Sequence, residues 1–184
     1  MSYQNSKVIA LTKEIMKQYL PQIVELDRSL IEKMGELYSN ISWDEENFLL
    51  DLKGKWNYSK IVFKKENLIG FWVVSTIIPR NIHTHRVAIE PTYQGKGIGK
   101  IMFHAIIDDV LKRDKIDYMT LEVNTQNINA VNFYEKLGFI RMKKPQINNY
   151  LLKKERQALI FNDFLREKDQ SEFYVYKMKI RGIK

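Results

Sequence analysis

Seven residues, "QGKGIGK" at positions 94–100, place three glycines and two lysines between an extended run stopped by Pro91 and a segment of helical periodicity. The chemistry such a stretch does is anion binding. A helix start carries unpaired N–H groups and partial positive charge. Glycines let those amides close around a pyrophosphate, and Lys96 and Lys100 add formal charge. A dinucleotide fingerprint, G-x-G-x-x-G from Gly95, fails because its third glycine falls on Lys100. A Walker loop fails twice: Ile101 follows Gly99-Lys100 where Ser or Thr is needed, and the earlier glycine falls on Gln94. What remains is Q-x-x-G-x-G at Gln94, Gly97 and Gly99, set against a plain strand-to-helix turn that needs glycine for its dihedrals.

Other chemistry is narrowed by composition. The 184 residues include no cysteine, which removes disulfides, thiolate metal sites and an acyl-cysteine intermediate. His83 and His85 project from one strand face and suggest a metal pair, but no third ligand has suitable spacing, so no metal is expected. His104, in mid-helix, reads as a packing or surface residue, and Glu90 beside Pro91 as a surface carboxylate.

The elements that must position these residues alternate between helical and extended periods. "KVIALT" (7–12) reads as a short strand. From Lys13 to Lys33, Ile15, Met16, Leu20, Ile23, Leu26 and Leu30 recur at helical spacing, with Pro21 expected to kink or split the stretch. "SWDEENFLLDLKG" reads as a second helix capped by Ser42 with Glu45 and ended by Gly54. Residues 59–66 and 68–78 suggest an antiparallel hairpin about Glu66-Asn67, and "THRVAIE" (84–90) a third strand. After the glycine loop, Ile98, Ile101, Met102, Ala105, Ile106 and Val110 form one helical stripe. "DYMTLEVN" (117–124) reads as a strand that alternates Met119, Leu121 and Val123 against Thr120, Glu122 and Asn124. In "NINAVNFYEKLGF", Asn127 caps a helix with the stripe Ala130, Phe133, Tyr134 and Leu137. Gly138 stands where a left-handed residue is wanted, and Phe139 closes the cap. A strand at 139–143, a helix at 151–166 and a last strand at 173–180 complete a mixed α/β domain.

Two of these landmarks together resemble the GNAT superfamily of acyl-CoA-dependent N-acyltransferases. The first is "VAIEPTYQGKGIG", similar to that family's strand, proline and [Q/R]-x-x-G-x-[G/A] loop. The second is "LEVNTQNINAVNFYEKLGF", where Asn127, Ala130, Tyr134, Gly138 and Phe139 match N-x-x-A-x-x-x-Y-x-x-x-G-F in register. One helix and one strand separate the two. The resemblance covers residues 59–143 firmly. It implies a single domain over 1–184, with a central, mostly antiparallel twisted sheet flanked by helices.

The resemblance implies acetyl-CoA as co-substrate. Gln94, Gly95, Lys96, Gly97, Ile98, Gly99 and Lys100 would hold its pyrophosphate. Val87, Ala88 and Ile89 would offer backbone to the pantetheine arm, and Asn127, Ala130 and Tyr134 complete the cofactor side. It also implies Tyr134 as the acid that protonates the coenzyme A sulfur, against a packing role in the apolar stripe. For the base, His85 lies where several members place a glutamate, and Glu122 matches a position used in some N-terminal acetyltransferases. The two rank level, and some members rely on ordered water. The acceptor is an amine: a protein N-terminus or lysine, with a polyamine or small amine as the alternative. A catalytically silent acyl-CoA sensor is the reading from another class.

The tail departs from the family pattern. Some 30 residues separate Lys143 from Phe173, with an amphipathic stretch inside a helical insertion at 146–170. It reads as a helix on the domain's own edge, with a lid or a homodimer contact as alternatives. Tyr150 follows "INN" where some N-terminal acetyltransferases hold substrate backbone. The net charge of +8 comes without an arginine-rich tract or a recognition-helix pattern, so nucleic acid is not expected. No apolar run approaches the roughly 18 residues of a membrane span, and the N-terminus lacks a signal-peptide pattern. A cytoplasmic protein without a membrane partner is expected.

Overall fold

The extended runs pair into one sheet whose two faces carry separate apolar cores. The structure is a computed structural model describing residues 6–39, 42–113, 115–143 and 173–180. Its strands are β1 (Ser6–Ala10), β2 (Lys60–Lys64), β3 (Asn67–Ser75), β4 (Asn81–Ile89), β5 (Tyr118–Asn124), β6 (Ile140–Arg141) and β7 (Phe173–Lys179). They lie in the order β1-β2-β3-β4-β5-β7-β6. Every neighbouring pair is antiparallel except β4 with β5. The expected mixed, mostly antiparallel sheet flanked by helices is what forms.

Helix α1 (Lys13–Met34) packs Met16, Leu20, Ile23, Leu26 and Leu30 against Ile61, Phe63, Phe71, Val73 and Ala88 on one face. On the other face, α4 (Ile98–Arg113) and α5 (Ile128–Lys136) cover Val62, Trp72, Val74, Ile82, Met119, Leu121 and Tyr176. Pro21 does not split α1, which runs through it. The proline lies on the exposed side, so water can solvate the Lys17 carbonyl that lacks a helical donor, while the buried stripe holds on both sides.

The second helix is shorter than its sequence suggests. Asp44, not Ser42, caps α2 (Glu45–Leu49) by a reciprocal pair with Asn47, and Leu50 turns extended. A separate turn of helix, α3 (Lys55–Tyr58), follows. The β2–β3 hairpin turns at Lys65-Glu66 rather than at Glu66-Asn67, because Lys64 pairs with Asn67 and Lys65 takes φ 57°. Strand β4 starts three residues before the expected Thr84, and β6 is only two residues long.

The end of α5 follows its punctuation. Phe139 N–H donates to Tyr134 O at 3.1 Å and Gly138 N–H to Glu135 O at 2.9 Å. With Gly138 at φ 93°, these two bonds make a Schellman cap. Phe139 is buried as its closing contact. The core face of α5 also includes Val131, which the stripe omitted. Among the described residues no helix is long and apolar enough to cross a membrane. The insertion at 146–170 and Tyr150 lie outside the described residues.

Candidate active site

The site begins where two parallel strands part. Strands β4 and β5 pair over Asn81↔Tyr118, Ile82↔Met119 and His83↔Thr120, and their ladder goes no further. Beyond it the two strands diverge, leaving a cavity of about 160 Å³. Thr84, His85, Arg86 and Val87 line one wall, and Glu122, Val123 and Asn124 the other. Asn127, Ala130 and Tyr134 of α5 close it from the second core.

A bulge in β4 sets what enters this cavity. Val73 faces Arg86 while its neighbour Val74 faces Thr84, so His85 is the extra residue. A bulge breaks the strict alternation of side chains and re-aims them. Thr84 stays on the α4 side, where its hydroxyl accepts from Trp72 Nε1 at 3.0 Å. His85 and Arg86, though consecutive, both turn to the α1 side. His85 Nε2 lies 2.7 Å from Ser75 Oγ and its ring packs beside Trp43. Arg86 reaches Asp27 of α1.

His83 and His85 do share a neighbourhood, with ring centres 4.9 Å apart and edge to face. His83 is buried, with Nδ1 3.1 Å from Thr120 Oγ1, which also accepts from Asn81 Nδ2 at 2.8 Å. Thr120, Glu122 and Asn124 lie on the same face of β5. Thr120 and Asn124 are buried and Glu122 is half-buried, because this face looks into the cleft. No group of three metal-ligating side chains forms among the described residues.

Tyr134 is 7% exposed and packs its ring against Trp72, Phe133 and Phe139. Burial holds its phenol well above the ordinary tyrosine range, so the hydroxyl keeps its proton throughout neutral pH. His85, Glu122 and Tyr134 thus border one cavity. Asn127 spends its amide locally: Oδ1 accepts from Ala130 N–H at 3.1 Å as the α5 cap, and Nδ2 donates to Leu37 O at 2.8 Å. Asn124 Nδ2 likewise donates to Glu36 O at 3.1 Å. Together they tie the turn Gly35–Leu37 across the mouth of the cleft and bring Tyr38 into its lining.

The glycine loop stands at the far end of β4. Gln94 Nε2 donates to Ile89 O at 2.9 Å, closing the loop onto the strand. Gly95 and Gly97 take φ 70° and 83°, a region that other residues enter at a penalty. The first helical bond of α4 is Ile101 N–H to Gly97 O at 3.1 Å, so the amides of Ile98, Gly99 and Lys100 precede it. A side chain on Gly99 would meet Phe133 Cζ at 2.8 Å, which is how α4 and α5 approach so closely. Lys96 and Lys100 are exposed beside these amides. Val87 lines the cavity, Ala88 is buried toward α1 and Ile89 packs toward α4. Among the described residues all three pair with β3 alone.

Sequence reading passed over Asp27, Tyr38, Trp43, Ser75, Arg86 and Thr120. Asp27 had left a trace, since it stands four residues after Ile23 and three before Leu30, inside an apolar stripe.

The parting parallel pair thus has a glycine-initiated helix beyond one end and a helix carrying a tyrosine across it. The family model for the acetyltransferase (GNAT) family matches residues 22–139, and the chain belongs to that family. It is 43% identical over 58 residues to N-alpha-acetyltransferase 30 of Saccharomyces cerevisiae, covering 32% of each chain. It is 26% identical over 97 residues to the ribosomal protein bS18-alanine N-acetyltransferase of Escherichia coli, covering 53% of this chain and 64% of that one. The matched part of the chain thus spans 32% to 64% of the length of these curated relatives. In structure it resembles Arabidopsis thaliana Naa50 in complex with a bisubstrate analogue, at TM-score 0.66 and 15% identity, over 95% of this chain and 98% of that one. A spermidine N-acetyltransferase SpeG chimera from Vibrio cholerae and hSSAT matches at TM-score 0.62 and 19% identity, over 96% of each chain.

Proposed function

We propose that the protein transfers the acetyl group of acetyl-CoA to the α-amine of a peptide or protein N-terminus. The observation that carries this reading is the cavity at the β4–β5 parting, bordered by His85, Glu122 and Tyr134, on the same strand that runs on into the glycine loop. The loop amides and the two lysines fit a pyrophosphate, and the edge of β4 over Val87, Ala88 and Ile89, which among the described residues pairs with β3 on its other side, fits a pantetheine arm laid as a further strand. The amine nitrogen attacks the thioester carbonyl carbon, the C–S bond breaks, and Tyr134 gives its hydroxyl proton to the departing sulfur. The amine proton leaves to His85 or Glu122, directly or through water. With no cysteine to carry an acyl intermediate, the transfer is proposed as direct attack within a ternary complex.

The choice of amine follows from basicity. An α-ammonium titrates near 8 and a lysine near 10.4. Whichever group takes the proton, deprotonating a lysine costs about 3 kcal/mol more than deprotonating an N-terminus. The named activities of the yeast and E. coli relatives, both N-terminal, agree. Arg86 weighs against a polyamine, because its guanidinium lies 5.0 Å from the Tyr38 ring centre and 5.4 Å from that of Trp43. Those are ring faces a second substrate cation would use.

The test is thiol release from acetyl-CoA in the presence of peptides with free N-termini, N-terminally blocked lysine peptides and spermidine. Turnover with the first group alone is expected. Turnover only with lysine peptides or spermidine overturns the acceptor, and silence with acetyl-CoA bound overturns the enzyme in favour of a sensor.

A further inference from the structure

The acceptor side of the cleft rests on a buried ion pair that belongs to none of the motifs. Asp27, midway along α1, is 1% exposed. It accepts Arg86 Nε at 2.7 Å, Arg86 Nη2 at 2.6 Å and the Tyr38 hydroxyl at 2.6 Å. Arg86 is itself buried, its guanidinium between the rings of Tyr38 and Trp43. It stands immediately after the residue at which β4 bulges. In a regular strand, consecutive side chains take opposite faces. An Arg86 drawn to α1 would then send His85 to the α4 side, away from Ser75 and Trp43. The bulge lets both turn to α1, where His85 meets Ser75 and Trp43 and Arg86 forks on Asp27, the charged anchor next to the bulge.

Stability alone does not account for such a pair. A buried ion pair is often replaceable by apolar residues of similar volume without loss of stability. Asp27 already sits in an apolar stripe that leucine would continue. We infer that Asp27, acting through Arg86, is a positioning residue for amine acetylation: it fixes the β4 bulge and thereby keeps the His85 imidazole in the cleft. The inference rests on the reading of the site as an amine acetyltransferase with His85 on the acceptor side.

The test removes both charges together, in the double variant Asp27→Leu/Arg86→Met, so that no orphan charge remains. The chain has three histidines, so imidazole resonances can be assigned by substituting each in turn. The expected result is a melting temperature and an acetyl-CoA Kd close to those of the parent. The kcat should fall by at least about tenfold, with the KM for acetyl-CoA unchanged, as for a displaced proton acceptor. The His85 resonances should move while those of His104 stay. Unchanged kcat with unmoved His85 resonances overturns the inference. So do losses shared equally by kcat, acetyl-CoA affinity and melting temperature, since the pair is then only part of the fold.

Should the double variant not fold, Arg86→Lys keeps the charge but replaces the fork with a single point. It should give a smaller loss of kcat with His85 again displaced, and parent-like values of both overturn the inference. A parent protein that binds acetyl-CoA yet acetylates no amine counts against the functional reading instead. The His85 resonances of the variants still decide whether the pair sets the bulge.

Discussion

The two ends of β4 are built on different principles. At its C-terminal end the glycine loop works through backbone: Gln94 closes it on Ile89, two glycines hold positive φ, and three amides of α4 point outward before the helix ladder begins. Everything needed lies within a dozen consecutive residues. At the other end the acceptor side works through side chains gathered from α1, the turn after it, β3, β4 and β5. Asp27 meets Arg86 across 59 positions, and Asn127 reaches Leu37 across 90. A backbone site tolerates side-chain change and is sensitive to conformation. A side-chain site is the reverse, and each prediction below presses on that contrast.

The largest effect is expected from Tyr134→Phe. The ring packs against Trp72 and Phe139 as before, so the fold and acetyl-CoA affinity should persist. Loss of the proton donor should lower kcat by about 10²-fold or more. A kcat within a few-fold of the parent, under conditions where thiol release follows chemistry, would remove Tyr134 from the reaction and leave it as core packing.

The next prediction concerns what supports the acceptor side. Lys55 is fully buried, and its Nζ donates to Phe48 O at 2.6 Å and Leu50 O at 2.8 Å, completing the end of α2. Phe48 in turn packs against Trp43. Burial lowers the Lys55 ammonium to about 8. An unfolded lysine keeps its proton to about 10.4, so between these values the unfolded chain holds a proton that the folded chain has released. Stability should therefore rise with pH from about 8 to 10.4, by at most about 3 kcal/mol. Below that window both states are protonated and the contribution is flat. Urea unfolding of the parent and Lys55→Met across this range checks it. The variant should lack the rise, and parallel curves would show that burial leaves Lys55 unshifted.

How much of this could be read from the sequence follows the same division. The glycine loop, the cap of α5 and the closing Gly138-Phe139 pair are local and stood out in the order of residues. The stripe of α1 was legible, and Pro21 misled only because its exposed placement hides in one dimension. The cap at Asp44 was missed for Ser42, since two capping patterns overlap within three residues. The bulge at His85 has no residue signature of its own, being a matter of register between strands. The Asp27–Arg86 pair needs α1 folded back over β4 before either charge has a partner. Tyr134, His85 and Glu122 were named singly, and only the parting of two strands brings them to one cavity.

On the backbone end, the sharpest single change is Gly99→Val. Its side chain would overlap Phe133 Cζ, 2.8 Å from the position of the first added carbon. Pushing α4 from α5 should destabilise the fold by about 1–3 kcal/mol. Because the displaced residue carries one of the loop amides, acetyl-CoA affinity should fall along with melting temperature, and kcat at saturation should fall less. That is the opposite signature from Tyr134→Phe. Unaltered affinity in a destabilised Gly99→Val protein would mean that the α4 amides are not what holds the diphosphate.

The smallest effect should come from the charges that drew notice to the loop first. Lys96 and Lys100 are exposed, and Lys96 Nζ stands 5.6 Å from the Tyr93 ring centre. An exposed charge gives a diphosphate only a weak, screened attraction of about 1 kcal/mol or less each. Lys96→Ala/Lys100→Ala should weaken acetyl-CoA binding only several-fold at low salt, by calorimetry, and the difference from the parent should shrink in about 0.5 M salt. The amides, fixed by the glycine dihedrals and shielded by the helix, should carry the remainder with little salt dependence. A hundredfold loss that persists at high salt would invert the assignment. The diphosphate would then be held by side chains at both ends of β4, and the contrast between them would be one of sequence distance alone.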